Sequence, residues 1–173
     1  MRNLFYQNWT TASRNIRESE GVLLTLGSVE EHGLHLPLGT DTILAHAFAQ
    51  EICEREDMYY YPCITYGQVW SAREFESTIT VSHPCLENYC LQAEDSVMRV
   101  RPRRIILYSF HNGNHKVIEE VLRTLVDLGS GDLVYLMKVA GIEKKAGHIL
   151  ITPLLNGSVW PSGELEHSLL LSV

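Results

Sequence analysis

Hydrophobic positions along this chain follow two alternating rhythms. Short unbroken apolar runs are separated by longer stretches in which apolar residues recur every three or four positions. Residues 21–28 (GVLLTLGS) form the first run, whose length and composition predict a buried strand. Residues 42–55 follow with Ile43, Leu44, Ala47, Phe48 and Ile52 at helical spacing. Met58 to Tyr66 is aromatic and apolar and reads as a second strand. His83-Pro84 then opens a helix, with Pro at the favoured first position and Leu86, Cys90, Ala93 and Val97 on one face. Arg104 to Ser109 is a third strand, 115–128 an amphipathic helix ending near Gly129, and Asp132 to Val139 a fourth strand. Residues 163–173 (GELEHSLLLSV) read as the opening of one more helix.

Strands that alternate with helices predict an α/β fold with a mostly parallel sheet covered on both faces. Continuous apolar strands, rather than alternating ones, agree with burial on both sides. At 173 residues the chain is expected to be one domain that buries roughly two-thirds of its unfolded surface.

Charge removes one class of partner. The 14 basic and 21 acidic side chains give −7, so no nucleic acid is expected, because phosphate binding needs a basic footprint. The one local basic cluster, Arg99, Arg101, Arg103 and Arg104, is expected to complement a helix end. The four cysteines contain no CxxC pair, the N-terminus has no signal-peptide core, and no run reaches the about 18 apolar residues of a membrane span. The expectation is a soluble cytoplasmic protein with reduced thiols and no membrane partner.

Chemistry concentrates in two places. Residues 27–41, GSVEEHGLHLPLGTD, follow the first strand and hold two acids, two histidines and an Asp. Glu30 and His32 stand two apart, on one face of an extended segment. Asp41 falls where the next helix begins, so it also reads as a helix cap, and Glu30 and Glu31 also read as solvated loop. The second place is Phe110-His111-Asn112-Gly113-Asn114, after the third strand. In open parallel sheets, sites form beyond the carboxyl ends of strands. If the two strands are neighbours, Glu30, His32, Asp41 and His111 come within reach of one or two divalent ions.

The first of these segments is very similar to the signature GS-x-E-x-HG-x-HLPL-x-TD of the creatininase (creatinine amidohydrolase) family. Ser109 to Asn114 resembles that family's Asn-Gly-His-Gly-Gly-Asn motif, and Gly163-Glu164-Leu165-Glu166-His167-Ser168 resembles its His-Ala-Gly-Glu-x-Glu-Thr-Ser. The resemblance implies a three-layer α/β/α hydrolase that attacks a C–N bond of an amide, cyclic amide or formamide in a small polar substrate through metal-activated water. It implies two divalent metal ions per chain, zinc first, with manganese or iron as alternatives, in a homo-oligomer that reaches a hexamer in the family. Glu30, Asp41 and His111 would hold one ion, and His32 with a bridging Asp41 the other. Creatininase itself takes its last carboxylate two residues after the motif His. Gly113 stands there in this chain, so Glu166 is expected to replace it, with Glu164 as second choice.

Proton transfer is assigned to Glu31 and His35, with His115, His148 and His167 as further candidates. Trp70, Asn112 and Trp160 are expected to contact substrate, and Tyr66 and Phe75 are further candidates for the pocket wall. Two departures bear on turnover. Pro161 replaces the His that opens the third motif, and the sequence stops several tens of residues before the family does, so the domain is expected to be short at its C-terminus. The alternatives are a catalytically impaired or structural creatininase-like subunit, or a hydrolase of a cyclic keto-polyol.

Overall fold

Gly21–Leu26 forms β1, and all six of its residues are buried. Burial on both faces is what an unbroken apolar run dictates, and it places β1 inside the sheet. β1 pairs in parallel with β2 (Met58–Tyr60) on one side and β3 (Ile105–Ser109) on the other. β3 pairs in parallel with β4 (Val134–Met137), so the order is β2-β1-β3-β4. The computed structural model describes residues 1–131, 133–137 and 171–172.

Among the described residues, four α-helices cover the sheet: α1 (Trp9–Glu18), α2 (Thr40–Arg55), α3 (His83–Met98) and α4 (His115–Asp127). Alternate strand residues sort into two cores. Val22, Leu24, Leu26, Ile105 and Leu107 pack with Ile16 of α1, Leu86 and Cys90 of α3, and Val117, Ile118 and Val121 of α4. Leu23, Tyr60 and Tyr108 pack on the opposite face with Phe48, Ala49 and Cys53 of α2. This is the expected three-layer α/β/α arrangement, and each fully buried Leu or Ile contributes about 1.5–3 kcal/mol to it.

Three expectations need correction. The run from Met58 to Tyr66 is a strand only to Tyr60, because one extra residue around Pro62-Cys63 shifts the pairing, so that Ile64 rather than Cys63 meets Thr25. The chain still follows β1, through Tyr61 N to Leu23 O (3.1 Å) and Ile64 N to Thr25 O (2.8 Å). On α3 the inward position is Glu94 rather than Ala93; the helical face of Leu86, Cys90 and Val97 carries a carboxyl group into the core. In the basic cluster, Arg103 and Arg104 clamp Glu20 at 2.9 Å each, and Arg99 pairs with Asp95, so the cluster mainly ties the start of β1 to the start of β3.

α1 adds an element that the runs above did not include: Trp9, Ala12 and Ile16 stand at helical spacing, but Ile16 is its one buried residue. Its start is set by Asn8, whose side chain accepts a hydrogen bond from Thr11 N at 3.0 Å. The thiols of Cys53, Cys63, Cys85 and Cys90 are all free. No helix among the described residues is long and apolar enough to cross a membrane.

The order β2-β1-β3-β4 contains a switch point. From β1 the chain runs outward through α2 to β2, then returns through α3 to β3 on β1's other side. The crevice beyond the carboxyl ends of β1 and β3 therefore opens between connections on opposite faces of the sheet, the place where ligands bind in such folds.

Candidate metal centre

Leu26 and Ser109 end β1 and β3 side by side in register. The loops that follow them, 27–39 and 110–114, therefore emerge together, and the four sequence-selected donors converge. His111 Nδ1 lies 2.7 Å from Glu30 Oε1 and 2.9 Å from Asp41 Oδ2. His32 Nε2 lies 3.4 Å from the other oxygen of Asp41, Oδ1. Glu30, His32 and Asp41 offer ligand atoms within 4.8 Å of one another. Asp41 thus turns one oxygen to each histidine, the disposition a carboxylate needs to bridge two ions.

Burial decides between chemistry and the blander readings. Glu30 is 3% exposed and Asp41 2% exposed, so neither is solvated loop. Asp41 sits in the first turn of α2, but the cap position is Gly39 and no side chain caps the helix. Its carboxylate goes to the two histidines and to Ser28 Oγ, which is 2.7 Å from Oδ2 and 3.1 Å from Glu30 Oε1. Buried carboxylates persist only when paired or ligating.

Both rings are oriented from behind. His32 Nδ1 is 3.1 Å from the carbonyl of Glu30, and His111 Nε2 is 3.0 Å from the carbonyl of Gln68. A carbonyl can only accept, so each of those nitrogens carries a proton and the opposite nitrogen faces the carboxylates. Outer carbonyls that fix the tautomer of a metal-binding histidine are a regular feature of metal sites.

The electrostatics of the metal-free cluster follow. Burial alone would lower His111, but its hydrogen bonds to Asp41 and Glu30 outweigh that and push it up to about 10. Burial alone would raise Asp41, but hydrogen bonds from His111 and His32 reverse this and hold it well below the usual carboxylate range. A proton on His111 occupies the place between two carboxylates that a cation would take. This donor set fits a borderline divalent ion.

The cavity in front of the cluster has a volume of about 270 Å³ and is walled by Trp70, Ser71, Phe110, Asn112 and Gly113. Trp70 and Asn112 thus stand where substrate contact was expected. Trp70 is 70% exposed, and the Arg73 guanidinium lies 4.2 Å over its ring. Tyr66 instead lines a separate, more apolar cavity of about 350 Å³ with Cys63, Cys85 and Tyr89, and Phe75 is exposed. Glu31 accepts from Gly33 N at 2.6 Å, and His35 is exposed on the same loop. Neither lines the cavity. His115 is directed to the carbonyl of Ser109 at 3.3 Å. Glu164, Glu166, His148, His167, Trp160, Pro161 and the body of the expected 163–173 helix lie outside the described residues.

Sequence reasoning missed Ser28, Gln68 and Asn114 as parts of the site. Ser28 and Asn114 stood inside the motifs without an assigned task. Gln68 acts through its main-chain carbonyl, so its side chain carried no signal. A second group of ligand-type residues, His83, Glu87 and Glu120, stands half-buried on α3 and α4, with His83 Nε2 2.6 Å from Glu120 Oε2.

Comparison with known proteins agrees with this geometry. Residues 6–172 match the family described as "Creatininase: Creatinine amidohydrolase". A mycofactocin precursor peptide peptidase of Mycobacterium tuberculosis is 31% identical over 114 residues, which is 60% of this chain and 45% of that protein. The Mycolicibacterium smegmatis protein of the same name is 28% identical over 141 residues, 78% of this chain and 57% of that one. The chain therefore spans about half the length of the curated relatives it matches. A crystal structure of creatininase superposes with a TM-score of 0.85 at 21% identity, covering 99% of this chain and 72% of that one. Creatininase structures with the same fold include one described as Zn-Zn type and one with Mn. The matched segment takes in both strand-end loops and nearly the whole chain, and the fold and the histidine–carboxylate cluster agree with it: the chain belongs to the creatininase (creatinine amidohydrolase) family.

Proposed function

We propose that this chain is a metal-dependent amidohydrolase that hydrolyses a C–N bond in a small polar amide, cyclic amide or formamide. The observation that carries the proposal is Asp41, buried between His32 and His111 with a different oxygen turned to each. Glu30, Asp41 and His111 would hold one divalent ion. His32 and Asp41 would hold a second, with Glu166 as the remaining carboxylate, and zinc or manganese fits these donors. Such ions supply Lewis acidity toward a carbonyl and lower the pKa of a water molecule.

The chain's own residues then have distinct tasks. Ser28 and the carbonyls of Glu30 and Gln68 hold the donors in place before any ion arrives. Trp70 and Phe110 supply flat walls against which a substrate would lie, and Asn112 a polar contact. Trp160 belongs to the same proposal as a further contact. Proton transfer by Glu31 would require it to release Gly33 N, and His35 would have to turn inward from an exposed loop. A cytoplasmic homo-oligomer, up to a hexamer, completes the proposal, and light scattering on the purified protein tests that part.

One reading of the substrate has specific support. The curated relatives are named peptide peptidases, and the cavity is open at Trp70, so an extended amide such as a short peptide can lie across it. The test is turnover of cyclic amides, formamides and short peptides by zinc- or manganese-loaded protein. Asp41→Asn is expected to abolish it with the fold intact. Purified protein that takes up neither metal would overturn the proposal.

A further inference from the structure

His111 is held at two points, and both holds lead to one side chain. Its ring is fixed by Nε2 on the carbonyl of Gln68 at 3.0 Å. Its backbone is fixed by Ser109, whose Oγ donates to His111 O at 2.9 Å and accepts from His111 N at 3.1 Å. Asn114, fully buried, touches both supports. Its Oδ1 accepts from Gln68 N at 2.9 Å, and its Nδ2 donates to Ser109 Oγ at 3.2 Å and to Gly27 O at 2.9 Å.

The amide orientation has one solution. Turned over, Asn114 would set its NH2 against the Gln68 N–H and its oxygen against the Gly27 carbonyl, leaving like groups face to face. Ser109 Oγ is equally committed, with one proton given and two accepted. Three segments meet at this one residue: the end of β1 through Gly27, the end of β3 through Ser109, and the 61–82 connection through Gln68.

Two glycines show how tightly the hub is closed. A Cβ on Gly113 would lie 2.3 Å from Gln68 O and 2.3 Å from His111 Nε2, on top of the hydrogen bond between them. A Cβ on Gly67 would lie 2.5 Å from Gly27 O and 2.7 Å from Asn114 Oδ1. No side chain fits at either place without parting these groups. A carboxylate at position 113 therefore cannot complete the centre in this chain, because it would dislodge the His111 ring.

We propose that Asn114 is the positioning residue of the centre: by fixing both Gln68 and Ser109 it aims His111 Nδ1 at Glu30 and Asp41. Its consequence for metal rests on the proposed function; the positioning itself does not, and the test separates the two. In metal-free full-length protein, the His111 Nε2 proton is sheltered by Gln68 O and is expected to exchange slowly with water, read by 15N-edited NMR. Asn114→Ala is expected to lose that slow exchange and about 10- to 100-fold in zinc affinity, the scale of outer-shell losses. Asn114→Asp keeps an oxygen for the Gln68 amide. It is expected to keep the ring proton, lose less zinc affinity than Asn114→Ala and melt at a lower temperature, since its second oxygen now faces Gly27 O and the Ser109 Oγ that gives its proton to His111 O.

An Asn114→Ala protein with the protected ring proton and zinc affinity of wild type would overturn the proposal. So would equal melting losses in both variants with affinity unchanged, the mark of a purely structural role. If Asn114→Ala does not fold, Gly113→Ala tests the same hydrogen bond with Asn114 in place, and an unchanged ring proton and affinity there would overturn it too. Wild-type protein that shows the protected proton but binds no zinc would contradict the metal reading alone.

Discussion

The strand-end crevice and the α3–α4 layer contain the same kinds of residue in opposite states. In the crevice, Glu30, His32, Asp41 and His111 are buried, mutually paired and backed by carbonyls of Glu30 and Gln68. On the helices, His83, Glu87 and Glu120 gather as closely but stand half-buried, joined by one His–Glu contact. One helical turn away from Cys90 in the same layer, Glu94 is fully buried, with neither oxygen partnered among the described residues. Ligand-type residues within reach of one another are thus not enough. What marks the crevice is that its donors are both desolvated and held, so an ion meets opposite charge without first having to order the side chains.

Substitutions that exchange the properties of the two regions should separate them, and the largest effect belongs to Asp41. Asp41→Asn removes the bridging charge and is expected to weaken metal binding by ~10³-fold or more, beyond the ~10–100-fold of outer-shell losses. Titration with zinc and a turnover assay on the same samples check this.

Glu94 should give the next effect, and it is one of stability. Burial pushes its carboxyl up to about 8. A folded pKa above the unfolded one means that protonation favours the fold. Stability should therefore fall as pH rises from about 4.5 to 8 and change no further on this account. Glu94→Gln is expected to flatten that slope, with a gain on the order of 4 kcal/mol at pH 8 and little at pH 4. Denaturant melts at the two pH values decide it.

A further effect of comparable size links proton and metal. Because His111 is raised to about 10 in the metal-free cluster, binding an ion must expel its proton. Zinc affinity should therefore climb from pH 6 to pH 9, and a flat profile would contradict the paired geometry.

The least effect is expected from the helical group. His83→Ala should leave metal content and turnover unchanged and cost about 0–1 kcal/mol of stability, as partly exposed ion pairs do.

Much of this was readable in the sequence, for physical reasons that differ by residue. β1 and α4 announced themselves because burial on two faces and burial on one leave different periods in the apolar residues. The donors Glu30, His32, Asp41 and His111 were legible because ligand chemistry restricts residue type. α1 was harder to see, since its apolar positions Trp9, Ala12 and Ile16 are few and only Ile16 is buried. Glu94 contradicted its helical face because a protonated carboxyl can occupy an apolar position that sequence pattern assigns to an alanine one residue away. Gln68 could not be found at all, because a main-chain carbonyl is common to every residue. The exposures and hydrogen bonds of Glu31 and His35 likewise depend on how the 31–39 loop turns at Gly33, whose φ is 73°.

The crevice between β1 and β3, and not the helical group, is predicted to hold metal. The most direct test is the zinc content of wild type, Asp41→Asn and His83→Ala after equilibration with zinc and exhaustive dialysis. Wild type and His83→Ala are predicted to retain zinc equally, and Asp41→Asn to retain none. Zinc that is absent from wild type, or that survives Asp41→Asn and disappears with His83→Ala, would contradict the account.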